Sequence, residues 1–137
     1  MAESWPEDFP VVQVRMARLT ARLQEVVRFY RDGLGLKEIG SFREHAGYSG
    51  VMLGLPGRQY HLEFTEHAEQ TECDAPTKDN LLVFYVPERE AIERMAARLK
   101  AMGHEPVPPE NPYWKEKGLT FEDPEGWRVV LMSTGGI

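Results

Sequence analysis

Residues 121–131 read Phe-Glu-Asp-Pro-Glu-Gly-Trp-Arg-Val-Val-Leu, and this stretch predicts two strands joined by a turn. The apolar and β-branched residues on both sides favour strands at 119–122 and 127–132. Between them, the aspartate, proline and glycine within 123–126 are typical of a tight turn. The chain therefore ends in a predicted hairpin, and the residues before it can be read outward from there.

The residues that precede this hairpin complete a β-α-β-β order with one weak extra strand. A strand is predicted at 81–86, where Pro87 stops it, and a helix follows over 87–102. Gly103 ends that helix, and the next residues, 104–107, predict a short strand. The helix carries a buried apolar stripe at helical spacing, made of Ile92, Met95, Ala96 and Leu99.

The first half of the chain repeats the same order. Residues 11–19 predict a strand by their alternation, and a helix follows that ends near Gly33 and Gly35. The apolar stripe of this helix is Leu23, Val26, Val27, Tyr30 and Leu34. Three strands are then predicted at 36–42, 48–55 and 60–65. A polar stretch at 66–80 separates the two halves.

This repetition predicts an α+β fold of two βαβββ modules, with a curled mixed sheet around a shared cavity. One domain over 10–133 is expected, with modules at about 10–66 and 80–133 and an N-terminal tail at 1–9. A single module has too small a hydrophobic core to be stable alone, which favours packing of the two modules together. The alternative is an ordinary α+β sandwich without repeat symmetry.

Composition excludes several classes of protein. Sixteen basic and 22 acidic residues among 137 give a net charge of −6, which disfavours binding to nucleic acid. The chain has no apolar run of 18 residues, so no transmembrane helix is expected, and its acidic N-terminus is no signal peptide. The single cysteine, Cys73, suits a reducing compartment. A soluble cytoplasmic protein without membrane or nucleic-acid partners is therefore expected.

Three segments together resemble the vicinal oxygen chelate superfamily, which includes glyoxalase I, bleomycin and fosfomycin resistance proteins and extradiol dioxygenases. Residues 28–36, Arg-Phe-Tyr-Arg-Asp-Gly-Leu-Gly-Leu, resemble the segment that ends the first helix of that family. Residues 121–131 resemble its C-terminal hairpin, and Trp114 followed by Gly118 resembles the loop before it. The resemblance covers about residues 10–133, and it implies a fold that hosts many functions rather than one function.

The metal site of that superfamily is built from four positions, which the resemblance assigns to Arg15, Glu63, Leu81 and Val130. Of these only Glu63 is a metal ligand, because arginine is a fixed cation and the other two are apolar. The standard metal site is therefore expected to be absent, and no cofactor is expected. His61 with Glu63 remains a weak alternative for a divalent ion, and a diffusible flavin remains an alternative co-substrate.

The first module is expected to line the shared cavity with polar groups. Alternation along 60–65 places His61 and Glu63 on the side of the strand away from its apolar residues. Arg15, His61 and Glu63 are the candidate catalytic residues: Arg15 to bind an anionic group, the other two to move protons. The alternative is structural, with Arg15 and Glu63 as a buried salt bridge and His61 hydrogen-bonded at a strand edge.

The second module is expected to supply an apolar and aromatic wall. Its candidate ligand-binding residues are Tyr85, Tyr113, Trp114, Arg128 and Met132. The two tyrosine and tryptophan rings of the loop suit stacking on a planar ligand, although lid packing is an alternative. A cleft with one polar and one apolar wall suits a small organic molecule of mixed character.

Three classes of function remain open. The first is a metal-free binding protein that sequesters an aromatic or cationic compound, as bleomycin resistance proteins do, and works as a homodimer. The second is an enzyme of the superfamily, a lyase or oxygenase on a phenolic or polyketide-like substrate, with Arg15 stabilising an oxyanion. The third is an interaction module whose cavity is filled by Trp114, Tyr113 and Met132.

Overall fold

The computed structural model describes residues 12–55, 57, 59–69 and 72–136. The tail predicted at 1–9, and the first residues of the predicted domain and strand, lie outside these. The first half folds as β1, Val14–Leu19; α1, Leu23–Val27, which continues as a π-helical segment, Arg28–Gly33; β2, Lys37–His45; β3, Tyr48–Gly54; and β4, Tyr60–His67. This is the predicted β-α-β-β-β order.

The strands of the first half form one mixed sheet in the order β1-β4-β3-β2. β1 pairs parallel to β4, with Arg15 beside His61 and Ala17 beside Glu63. β3 pairs antiparallel to β4 and to β2, and the β2–β3 register shifts twice. Because β1 has one partner, it is an edge strand of this sheet.

The second half folds as β5, Leu81–Tyr85; α2, Arg89–Ala101; a short 3₁₀ turn, Pro112–Trp114; β6, Gly118–Glu122; and β7, Arg128–Met132. Its sheet has the order β5-β7-β6, with β5 parallel to β7 and β6 antiparallel to it. The two sheets and their order of elements confirm the α+β fold of βαβββ type.

The weak strand predicted at 104–107 is wrong as an element. Only Val107 pairs, in an isolated bridge to Thr120, where the Val107 amide donates to the Thr120 carbonyl at 2.8 Å. Prolines at 106 and 108 flank that residue, and proline has no amide hydrogen to extend a ladder. The second sheet is therefore one strand smaller than the first.

Both halves contribute to one hydrophobic core. Phe29 and Tyr30 from the first half are buried against Phe84, Leu99 and other residues of the second. The Gly33 Cα lies so close to Leu99 that a Cβ there would be 2.5 Å from Leu99 Cδ2. This close packing joins the π-helical segment to α2 and positions the two sheets.

Two features end the first helical segment. The Arg98 side chain of α2 donates from Nε to the Gly33 carbonyl oxygen at 2.9 Å. Gly35 then adopts a φ of +98°, in the left-handed region that glycine tolerates best. The predicted end of this helix at glycine is confirmed, and the Gly33 carbonyl accepts its hydrogen bond from the other half of the molecule.

Among the described residues, no helix has the length and apolar character needed to cross a membrane.

Candidate functional site

Arg15, His61 and Glu63, here called the polar trio, lie together on one face of the first sheet. β1 and β4 are adjacent and parallel, so alternate residues of the two strands share a face. Arg15 Nε donates to His61 Nε2 at 2.8 Å, and Arg15 Nη1 lies 3.4 Å from Glu63 Oε1. The residues predicted from sequence as candidate catalytic groups are therefore in contact.

The two ring nitrogens of His61 differ in their contacts. Nε2 accepts the hydrogen bond from Arg15 Nε, which leaves Nδ1 as the ring nitrogen that can donate. The residue is only 4% exposed, and Nδ1 has no hydrogen-bond partner among the residues that the structure describes. A buried unpartnered donor is costly, and an acceptor supplied by a ligand would relieve that cost.

The charged members of the trio differ in exposure. The Arg15 side chain is 46% exposed, whereas that of Glu63 is 13% exposed. The guanidinium therefore presents one edge to solvent while the carboxylate is recessed beside it. Such an edge can bind a carboxylate, phosphate or carbonyl oxygen of a ligand.

The family's metal positions do not fit a metal in this chain. Arg15 is a cation already held by His61 and Glu63, Leu81 is an apolar strand residue, and Val130 is apolar and fully buried. Over the described part of the chain, no group of three or more histidine, cysteine, aspartate or glutamate side chains is placed to hold a metal ion. Arginine and aliphatic side chains offer no ligand atoms, so three of these four positions do not fit a metal ion.

The predicted aromatic wall forms a second, separate group. Tyr85, Tyr113 and Met132 line a cavity of about 400 Å³ beside the 3₁₀ turn. The Trp114 ring contacts Tyr113 edge-on, with ring centroids 4.9 Å apart. None of the polar trio lines this cavity, so within one chain the two predicted walls do not face a common space there.

Arg128 is in neither group. Its side chain is buried, with Nη2 2.9 Å from Glu122 Oε2 and Nη1 donating to the Pro108 carbonyl at 2.9 Å. It lines a different cavity, which lies between the two modules. These contacts are structural, because they hold the proline-rich loop to the second sheet.

A buried charged cluster joins the modules, and sequence reasoning missed it. Arg18 Nη1 lies 2.8 Å from Asp123 Oδ2, and Arg18 Nη2 lies 3.5 Å from Glu125 Oε1. The Tyr30 hydroxyl donates to Asp123 at 2.8 Å. Burial first, and the Asp123 charge second, raise the pKa of Tyr30 well above its ordinary value. We call Arg18, Tyr30, Asp123 and Glu125 the charged cluster.

Aromatic rings and backbone amides complete the charged cluster. The Arg18 guanidinium carbon lies 5.0 Å from the ring centroids of both Phe64 and Trp127. The Ala21 amide donates to Glu125 at 2.9 Å, so the turn of the second module caps the first. The sequence signal was present: Arg18 shares the face of β1 that carries Val14 and Met16, and a charge on an apolar face needs a partner.

Two family models match the chain, one for each half. The YycE-like N-terminal domain matches residues 14–65, and the YycE-like C-terminal domain matches residues 79–133. The YycE protein of Bacillus subtilis (strain 168) is 50% identical over 129 residues, which cover 94% of this chain and 93% of that protein. The crystal structure of a B. subtilis YycE protein of unknown function superposes with a TM-score of 0.91 at 48% identity and covers 98% of each chain.

More distant solved structures share the fold. The trypanothione-dependent glyoxalase I of Leishmania major has a TM-score of 0.67 at 17% identity and covers 86% of this chain and 83% of its own. The fosfomycin resistance protein FosX from Mesorhizobium loti has a TM-score of 0.63 at 14% identity, with 97% and 93% covered. The fold is that of the vicinal oxygen chelate superfamily, as the sequence predicted. With half of its residues identical to YycE over almost its whole length, the chain belongs to the YycE-like family.

Proposed function

We propose that this protein binds a small organic molecule at the polar trio without a resident metal. One observation carries the proposal: Arg15 is held by both His61 and Glu63 while almost half of its side chain is exposed. A guanidinium fixed by two neighbours loses little further side-chain entropy on binding, which makes its open edge a preorganised ligand contact. A purely structural ion pair gains nothing from that open edge.

The favoured ligand is an aromatic compound that carries a polar or charged group. The Arg15 edge and the His61 Nδ1 hydrogen suit an oxygen acceptor, while Glu63 and the overall charge of −6 suit a cationic group. Tyr85 and Tyr113 line the aromatic wall of the second module, a separate surface that suits ring stacking.

We further propose that the protein is a homodimer whose copies meet at the edge strand β1. Val14, the first residue of β1, and Val12, two residues before it, are 52% and 81% exposed. An exposed edge strand with apolar side chains is a ready surface for a second chain.

Calorimetric titration tests the proposed binding. The wild-type protein is titrated with 2-naphthoate and with 2-naphthylmethylammonium, which share a ring system and differ in charge. We expect one of the two compounds to bind. If it is the anionic naphthoate, Arg15→Ala should weaken binding about tenfold or more; if it is the cationic ammonium compound, Glu63→Gln should weaken binding by as much. Arg22→Ala is the matched control, because Arg22 is an exposed arginine of the same module outside the trio.

Two results would contradict the proposal. One is that neither compound binds the wild-type protein. The other is that both trio variants retain the wild-type affinity. Metal content is measured on the same preparation, and a stoichiometric divalent ion would overturn the expectation of a metal-free site.

We also expect a cytoplasmic protein, on the basis of its single cysteine.

A second candidate function is catalysis at the same trio. The recessed Glu63 carboxylate favours it, because a proton acceptor shielded from water lies next to a guanidinium that can stabilise an oxyanion. The substrate class is a phenol or a polyketide-like compound, and the reaction class is a lyase or oxygenase. Glu63→Gln separates the functions: an enzyme loses turnover with ligand affinity retained, whereas a protein that only binds shows no turnover with or without Glu63.

A further inference from the structure

A cavity of about 230 Å³ lies between the two modules, beside the charged cluster, and none of the polar trio lines it. The first module lines it with Met16, Ala17, Arg18, Tyr30, Leu62 and Phe64, and the second with Asn80, Leu81, Leu82, Trp127 and Arg128. Four of its lining residues, Met16, Arg18, Leu62 and Phe64, lie on the face of β1 and β4 opposite the polar trio, because residues alternate along a strand. The cavity is therefore independent of the proposed function.

The charges around this cavity exclude an anionic ligand. Arg18 is paired with Asp123 and Glu125, and Arg128 is paired with Glu122. Each guanidinium is therefore already neutralised, and the carboxylates outnumber the arginines in these two groups. The remaining lining is mainly aliphatic and aromatic, which favours a neutral ring.

Hydrogen bonding to this ligand would come from the strand backbones. The amides of Val14 and of Thr20, the residue after β1, donate to the carbonyls of Gln59 and Thr65. The backbone N–H and C=O groups of even-numbered residues therefore point toward β4, and those of Ala17 point away from it. The amide of Val86, the residue after β5, donates to the Met132 carbonyl, so the backbone groups of Leu81 point away from β7. β1 and β5 are edge strands of different sheets, and Ala17 and Leu81 both line the cavity. Among the described residues, the outward backbone groups of Ala17 and Leu81 therefore have no strand partner.

We propose that this cavity binds a neutral aromatic amide of one ring. The ring would pack on Leu62, Phe64 and Leu82, and the amide group would exchange hydrogen bonds with the backbone of Ala17 and Leu81. The volume agrees, because an apolar cavity of about 150 Å³ holds benzene, and the additional space accommodates one amide. The two unpartnered strand edges supply the donors and acceptors that an amide needs.

Amide NMR titration with three probes tests this assignment. Benzamide has the ring and the amide, toluene has only the ring, and benzoate replaces the amide with a charge. Benzamide is expected to shift the Ala17 and Leu81 amide resonances and to bind about tenfold more tightly than the other two. Absence of benzamide binding, equal affinity for toluene, or tighter binding of benzoate would each overturn the proposal.

Two variants locate the binding. Met16 is 65% exposed at the rim, so Met16→Trp is expected to fold, to fill the cavity and to abolish benzamide binding. Ile39→Trp is the matched control, because it places the same ring at an exposed strand position that does not line the cavity. Ala17→Pro removes only the amide that faces the cavity and should lower benzamide affinity to that of toluene. Unchanged benzamide affinity in Met16→Trp or in Ala17→Pro contradicts the assignment.

Discussion

Arg15 and Arg18 lie on opposite faces of β1, and their acidic partners come from different parts of the chain. Arg15, His61 and Glu63 were placed on one face by alternation, and their contacts follow from the parallel pairing of two strands. Arg18 needs partners from a turn more than 100 residues away along the chain. No local pattern specifies such a partner, because it depends on how the modules pack.

Tyr30 gives stability a pH dependence at this scale. Its pKa is raised in the folded protein and stays near 10 in the unfolded chain, so folding holds the phenol neutral. The stability from its bond to Asp123 is fully present below pH 10 and is lost as the pH rises toward the folded pKa. Tyr30→Phe should lower the free energy of unfolding by about 1.5–3 kcal/mol at pH 7.

Urea unfolding from pH 7 to pH 11 measures that difference. The gap between wild type and Tyr30→Phe should narrow above pH 10, since the variant has no phenol to ionise there. Tyr113→Phe is the control, because Tyr113 is exposed and its removal should leave the free energy of unfolding nearly unchanged. A gap that stays constant across the range contradicts the assignment of the pKa shift to folding.

Elements were predicted well where periodicity is strong and poorly where it is interrupted. The apolar stripe of α2 and the alternation of β1 and β4 specify their type and their faces. The π-helical segment was not predicted, because its apolar spacing matches an α-helix. The strand at 104–107 failed because its flanking prolines restrict pairing to one residue.

The loop that precedes β6 depends on Gly118. A Cβ there would lie 2.6 Å from the Trp114 carbonyl oxygen and 2.8 Å from Met132 Sδ. Since one of these atoms is backbone, Gly118→Ala should displace the loop and lower the free energy of unfolding by about 1–3 kcal/mol. Gly135→Ala is the matched control, because a Cβ at Gly135 meets nothing within 4 Å.

Thermal unfolding of the two glycine variants checks this prediction. Gly118→Ala should melt at a lower temperature than wild type, and Gly135→Ala should melt close to it. Equal melting temperatures in both variants would mean that the loop is not held by its approach to Gly118.

At the scale of the whole molecule, the repeat predicted the fold, but it did not predict how the site is divided. Two modules with a common core follow from the order of elements. The cavity between the modules is not the predicted one, because of the predicted site residues only Arg128 lines it. The sequence placed the polar trio and the aromatic residues around one space, yet the structure places Tyr85 and Tyr113 in a separate cavity. That separation depends on the packing of one module against the other, which strand periodicity does not encode.

The proposed dimer makes the oligomeric state a test at this scale. Val14→Lys places a charge on the exposed start of β1, where apolar burial between copies is proposed. We expect sedimentation velocity to report a dimer for wild type and a monomer for Val14→Lys. Met102→Lys, at another exposed apolar residue, should remain a dimer. A monomeric wild type, or a dimer in Val14→Lys, contradicts the proposed interface.

The charged cluster also bears on how the two halves of the chain have diverged. If the modules descend from one duplicated unit, the position of Arg18 in the first corresponds to Phe84 in the second, by the alignment that pairs Arg15 with Leu81. Asp123 and Glu125 come only from the second module, and their cationic partner only from the first. A chimera with two first modules would bury Arg18 without its acids, and one with two second modules would bury acids without their arginine. The two halves share an order of elements, yet neither can replace the other without leaving buried charges unpaired.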